Sequence, residues 1–230
     1  MRKIPLLLIC LCMALIFVTV HIDVQAAVKK TSADYKDLQD LDIKMKANVD
    51  KWLDAGVIQG VAEDWFGLNE TITRAEFAKI VALAVDLKID TNLKSSSFVD
   101  VKADDPVIGN ALSYIEALRQ AGVTDGVDQE RFNPIGEVTK EQFAVLMVRS
   151  LGKDGEAQQT LGVMDVSVSD YAKRYVALAL KMFPYLQSEG SYEGSIPITR
   201  QLILLGLDDL MVRYCGCEPS KLSESLQDNS

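Results

Sequence analysis

The sequence predicts an all-α protein: three tandem helix–loop–helix units that pack together around shared second helices. Three observations predict it. A shift of 66 residues lays Gly56 to Val85 on Gly122 to Leu151 without a gap, and eight of thirty positions are then identical: Gly56/Gly122, Val57/Val123, Gly60/Gly126, Val61/Val127, Phe66/Phe132, Thr73/Thr139, Phe77/Phe143 and Ala78/Ala144. A weaker third copy follows sixty residues on, where Ile198-Thr199-Arg200 repeats Ile72-Thr73-Arg74 and Ile203 takes the place of Phe77. Within each copy the apolar residues recur at helical spacing.

The chain opens with Arg2 and Lys3, an uncharged apolar run from Ile4 to Val20, and Val24-Gln25-Ala26 ahead of Ala27. This order of charge, apolar core and small residues reads as a secretory signal peptide over residues 1–26. The run falls short of the ~20 residues a bilayer span needs, so membrane attachment is expected only if the leader is retained. Cleavage would leave about 200 residues, enough for one core that buries roughly 70% of its unfolded surface. It would also remove His21, the only histidine, together with Cys10 and Cys12. Histidine triads and His-ligated zinc are thereby excluded by inventory. Cys215-Gly216-Cys217 remains. A bridge two residues apart is strained, so pairing across chains, a labile disulfide and two free thiols all stay open.

The first unit, residues 32–90, places Val49, Trp52 and Leu53 on one helical face, and Gly56 arrives where a glycine would stop the helix. After a loop of a dozen or so residues, Thr73 starts a second helix with Phe77, Ile80, Val81 and Ala84 inward. The second unit, 95–153, repeats these faces as Leu112, Ile115 and Leu118, then Phe143, Leu146, Met147 and Ser150. The third, 160–214, is degenerate and keeps Ile203, Gly206, Leu207 and Leu210. Such stripes are core. Each unit opens with an aromatic or apolar residue near an Asp: Tyr35-Lys36-Asp37, Phe98-Val99-Asp100 and Met164-Asp165. Lys88 to Ser97 and Gly152 to Gln159 read as polar connectors, and 215–230 as a polar tail.

With 24 Lys and Arg against 33 Asp and Glu, a formal charge of −9 argues against a nucleic-acid partner. Acidic residues are plentiful, but no two are singled out for glycoside chemistry, and no calcium-loop motif is present. No enzymatic activity, catalytic residue, metal or cofactor is expected. Thr73 with Glu76, and Thr139 with Gln142, have the spacing of capping boxes, which explains all four as structural. The next position is different. Arg74, Lys140 and Arg200 each put a cation on the first turn of a helix, where the macrodipole favours an anion. Beside free N–H groups such a cation makes a small pocket for a carboxylate or phosphate; the plainer alternative is pairing with nearby acids. Gly60 and Gly126 read as backbone positions with positive φ. Trp65, between Asp64 and Phe66, suits a sugar platform or core packing, whereas Phe66, matched by Phe132, reads as an inward loop anchor.

Gly56-Val57-Ile58-Gln59-Gly60 followed by Ile72-Thr73-Arg74-Ala75-Glu76-Phe77 resembles the S-layer homology (SLH) domain, whose hallmark is GIIxG, a loop and (I/L)TRAEF. Gly122-Val123-Thr124-Asp125-Gly126, Arg131-Phe132-Asn133-Pro134 and Val138-Thr139-Lys140-Glu141-Gln142-Phe143 form a similar second copy. The resemblance implies a pseudo-threefold helical spindle. Its grooves would bind an anionic secondary cell-wall polysaccharide, often bearing a pyruvate ketal, through Arg74, Lys140, Arg200, Gly60, Gly126 and Trp65. The protein would then be secreted and held at the wall of a Gram-positive-type envelope. Departures narrow this. Copy one has Lys44 where the family has an early aromatic; copy three keeps Tyr171 there but has Phe183-Pro184-Tyr185 for GIIxG and Thr199-Arg200-Gln201-Leu202 for TRAE. Fewer than three working grooves are expected, Arg74 foremost. The alternative function is a helical scaffold for an envelope protein partner, its sugar sites decayed.

Overall fold

A computed structural model describes residues 29–187 and 189–215. The expected leader, the residues from 216 onward with Cys217, and the Cys215 side chain lie outside the described residues. Seven α-helices and no sheet are present among the described residues: α1 Ile43–Asp54, α2 Arg74–Ala84, α3 Leu112–Gln120, α4 Lys140–Ser150, α5 Asp154–Gln159, α6 Lys173–Met182 and α7 Arg200–Cys215. The all-α expectation holds. Pairs α1/α2, α3/α4 and α6/α7 form the three units. Among the described residues no helix is long and apolar enough to cross a membrane.

Local chemistry sets the helix ends. The Asp42 carboxylate accepts from the N–H groups of Lys44 and Met45 at 2.8 and 3.0 Å and so starts α1. At the other end Gly56 takes φ 68°, and Gly122 takes φ 71° after α3. Capping boxes start α2 and α4: Glu76 Oε2 accepts from the Thr73 N–H at 3.1 Å, and Gln142 Oε1 from that of Thr139 at 3.2 Å. One connector departs from expectation. Asp154–Gln159, read from its polarity as a link, is the helix α5, because Ala157 is fully buried and ties one face of it to the core.

The units interlock in a ring. The first two N–H groups of α2 donate to Gly136 and Pro134 in the loop of the second unit, at 2.8 and 2.9 Å. Those of α4 donate to Ile196 and Gly194 of the third, and those of α7 to Glu70 and Leu68 of the first, all at 2.9 Å. The N-terminus of each unit's second helix is thus satisfied by the next unit's loop, and the third returns to the first. Isolated bridges Thr73↔Glu137, Thr139↔Pro197 and Thr71↔Thr199 follow the same cycle. On the axis side, Phe77 and Phe143 meet edge-on with centroids 5.8 Å apart. Gly206 of α7 makes room there, since a Cβ would stand 2.7 Å from Phe143 Cζ.

Each unit also clamps its own loop. Asp37 accepts from the N–H groups of Phe66 and Gly67 at 2.8 Å and of Leu68 at 3.2 Å. Asp100 accepts from Phe132 and Asn133 at 2.9 and 2.8 Å, and Asp165 from Tyr192 at 2.5 Å. The residues one step along the loop, Gly67, Asn133 and Glu193, all take left-handed φ of 77°, 58° and 57°. The opening residue of the third unit is corrected by the structure. Tyr35 and Phe98, two before the Asp, are buried; in the third unit that place belongs to Val163, which packs on the core, while Met164 is 91% exposed.

Candidate functional site

Arg74, Lys140 and Arg200 do not stand beside free helix N–H groups, as the sequence suggested, because the neighbouring loop's carbonyls take those donors. Instead each side chain crosses into the next unit and stacks on its loop aromatic. The Arg74 guanidinium lies 4.6 Å from the centroid of Phe132, Arg200 4.9 Å from Phe66, and Lys140 4.3 Å from Tyr192. Arg74 Nε donates to Phe132 O at 2.7 Å, Lys140 Nζ to Tyr192 O at 3.2 Å, and Arg200 Nη2 to Gln59 O. Loop aromatics in turn pack on others: Phe66 on Tyr35 and Phe132 on Phe98, both at 5.6 Å.

This stack explains the glycines, with one correction. Gly126 is left-handed at φ 84°, but Gly60 is not in that region. Gly60 is required by contact: a Cβ would meet Tyr35 Cε1 at 2.3 Å and Trp65 O at 2.9 Å. At Gly126 a Cβ would meet Phe98 Cε1 at 2.7 Å and Arg131 O at 2.4 Å, so the aromatic lies against the glycine turn in both units. Trp65 is 43% exposed, and its Nε1 donates to Glu70 Oε1 at 2.8 Å. It does not line either cleft described below.

Two open clefts stand at equivalent places. The larger, about 310 Å³, is walled by Val123 to Val127, Gln142, Val145 and Leu146, with Arg74 reaching in from the first unit. The smaller, about 150 Å³, is walled by Val57 to Val61, Glu76, Lys79 and Ile80, with Arg200 reaching in from the third. The wall residues match one for one under the 66-residue shift. Arg74 is only 5% exposed and Arg200 3%, yet among the described residues neither forms an ion pair, so the plainer reading of cations spent on nearby acids does not apply to these two. Burial pushes both guanidinium groups below their ordinary pKa, with Asp100 and Glu76 among the weaker opposing charges. Arginine still keeps its proton. The Arg200 Nε is buried without any hydrogen-bond partner. Burial also lowers Lys140, opposed by the charge of Glu193.

The sequence marked Tyr171 only as an early aromatic of the third unit and did not mark Arg149; the structure puts both on the larger cleft. Tyr171 comes from the turn before α6 and donates its hydroxyl to Glu141 Oε1 at 3.1 Å, so it belongs to the second unit's cleft, not to the early helix of its own. Burial, with the Glu141 charge behind it, raises its phenol well above the usual range. Arg149, in the last turn of α4, sits where the macrodipole welcomes a cation, so nothing marked it out. Among the described residues, no His, Cys, Asp and Glu side chains gather three together as a metal site.

The family model for the S-layer homology domain matches residues 34–78 and 97–144. These two segments are S-layer homology domains. The third unit shares their ring, their loop clamp and their crossing cation, although its motif has drifted. The Surface-layer 125 kDa protein of Lysinibacillus sphaericus is similar to the chain, 30% identical over 177 residues, or 74% of this chain and 14% of that protein. The S-layer protein EA1 of Bacillus anthracis is 32% identical over 105 residues, 45% of this chain and 11% of its own length. An amylopullulanase of Thermoanaerobacterium thermosulfurigenes is 30% identical over 131 residues, 55% of this chain and 7% of its length. The chain thus spans only a small fraction of each of these relatives.

Proposed function

We propose that this SLH chain is a non-catalytic, non-covalent anchor that holds its bearer at the cell surface by binding an anionic secondary cell-wall polysaccharide. The observation that carries the reading is Arg74: a guanidinium 5% exposed, without a carboxylate partner, on the wall of an open cleft of about 310 Å³. A buried, permanently charged group with no counter-ion favours any ligand that brings one. Arg presents parallel N–H donors suited to a carboxylate, and a pyruvate ketal on a sugar supplies that carboxylate beside apolar ring faces. Apolar Val123, Val127, Val145 and Leu146 suit such a ring. The kinship with S-layer proteins supports the cell-wall setting. Of the two clefts, that of the second unit is the roomier and carries Tyr171 as well.

Pelleting with purified Gram-positive-type walls tests this, using walls with and without their secondary polymer. The chain is expected to pellet only with intact walls, and Arg74→Ala to stay in the supernatant. Unchanged pelleting of Arg74→Ala would instead favour a helical scaffold for protein partners.

A further inference from the structure

Arg149 lines the Arg74 cleft, and it is already paired with two carboxylates. Its Nη1 meets Asp125 Oδ2 at 2.7 Å, while its Nε meets Asp154 Oδ1 at 3.2 Å and its Nη2 the Tyr175 hydroxyl at 3.3 Å. The guanidinium also lies 5.3 Å from the Tyr175 ring centroid. Tyr175 and Asp154 grip the group from behind, on α6 and α5, so it is fixed in place. Asp125 grips it from the cleft. That carboxylate is a loop residue of the glycine turn with its side chain 79% exposed, whereas the Arg149 side chain is 21% exposed. An exposed acid thus sits on a preorganised cation at the rim of a ligand-sized space.

We infer that Arg149 is a second anion subsite of this cleft, and that Asp125 is an internal stand-in which an acidic ligand displaces. This deepens the wall-polymer reading and rests on it. The ligand class is a glycan with negative groups on successive units, one engaging Arg74 and the next Arg149. The position is particular to the second unit. Its equivalent is Leu83 in the first and Asp209 in the third, and the equivalent of Asp125 in the first is Gln59. In the third unit the sign is reversed, an acid standing where the second unit has Arg149. Displacement costs little on the Asp125 side, because that carboxylate is 79% exposed and the Arg149 charge stays compensated by Asp154. Arg149 keeps its other two partners while Asp125 swings into water.

Calorimetric titration of the chain with purified pyruvylated wall polymer, and with the methyl glycoside of a single pyruvylated sugar, tests the inference. Asp125→Asn is expected to bind the polymer about two- to fivefold more tightly and the single sugar with unchanged affinity. In the wild-type protein, the Arg149 side-chain N–H resonances are expected to move on adding polymer and to stay still with the single sugar. Unchanged or weaker polymer binding by Asp125→Asn, with Arg149 resonances unmoved, would overturn the second subsite; Arg74→Ala would still lose binding. Should Arg74→Ala bind as wild type does, the wall-polymer reading itself fails.

Discussion

Replacing each crossing arginine by methionine separates a binding cation from a structural one. At position 74 the change removes a charged hydrogen bond to the Phe132 carbonyl, worth about 1.5–3 kcal/mol, and a stacked cation, about 0.5–2 kcal/mol. Against this, it relieves the desolvation of a buried charge that has no counter-ion, which costs several kcal/mol per ion. The terms nearly cancel, so Arg74→Met should shift stability by no more than about 2 kcal/mol while wall binding is lost. At position 200 the balance tilts further, because the Nε there is buried and unpartnered, a penalty of about 1–3 kcal/mol that the substitution removes. Arg200→Met is therefore expected to melt higher than Arg74→Met. For a domain of this size, 1 kcal/mol corresponds to about 2–4 °C. Thermal and urea unfolding of both variants gives the order directly. If Arg200→Met is the less stable by more than about 1 kcal/mol, the crossing cations are keystones of the ring and not sites held open at a cost.

Gly60→Ala should destabilise by about 1–3 kcal/mol in urea unfolding, since its Cβ would collide with the Tyr35 ring and the Trp65 carbonyl; the cost is steric, because Gly60 is not left-handed. Asp165, which accepts from the Tyr192 backbone N–H and from Ser167, has its pKa lowered to about 2. A carboxylate depressed in the folded state contributes stability above its ordinary value near 3.8, and that contribution is lost as pH falls through about 2. Asp165→Asn should therefore flatten the pH dependence of unfolding between about pH 4 and pH 2, leaving the slope above that window unchanged.

Periodicity and capping chemistry are local, so the sequence alone determined the helix pairs. Val49 and Trp52, Leu112 and Ile115, and Phe77 and Phe143 are inward as their spacing required, and Gly56 and Gly122 stop their helices. The repeat also located the three odd cations, because a residue against the macrodipole is visible without coordinates. What those cations touch was decided only by tertiary structure. Ring closure spends the helix N–H groups on the neighbouring loop and sends each side chain to the aromatic of the following unit. That pairing depends on rotation of one unit against the next, which leaves no mark on either sequence. Polar spacing hid α5, since one buried Ala157 was enough to anchor it. Gly60 was misread because a steric contact with a residue 25 positions earlier looks, in a string, the same as a need for positive φ. Arg149 was silent for the opposite reason to Arg74: its place on the helix is electrostatically ordinary, and only folding brings it to the same cleft.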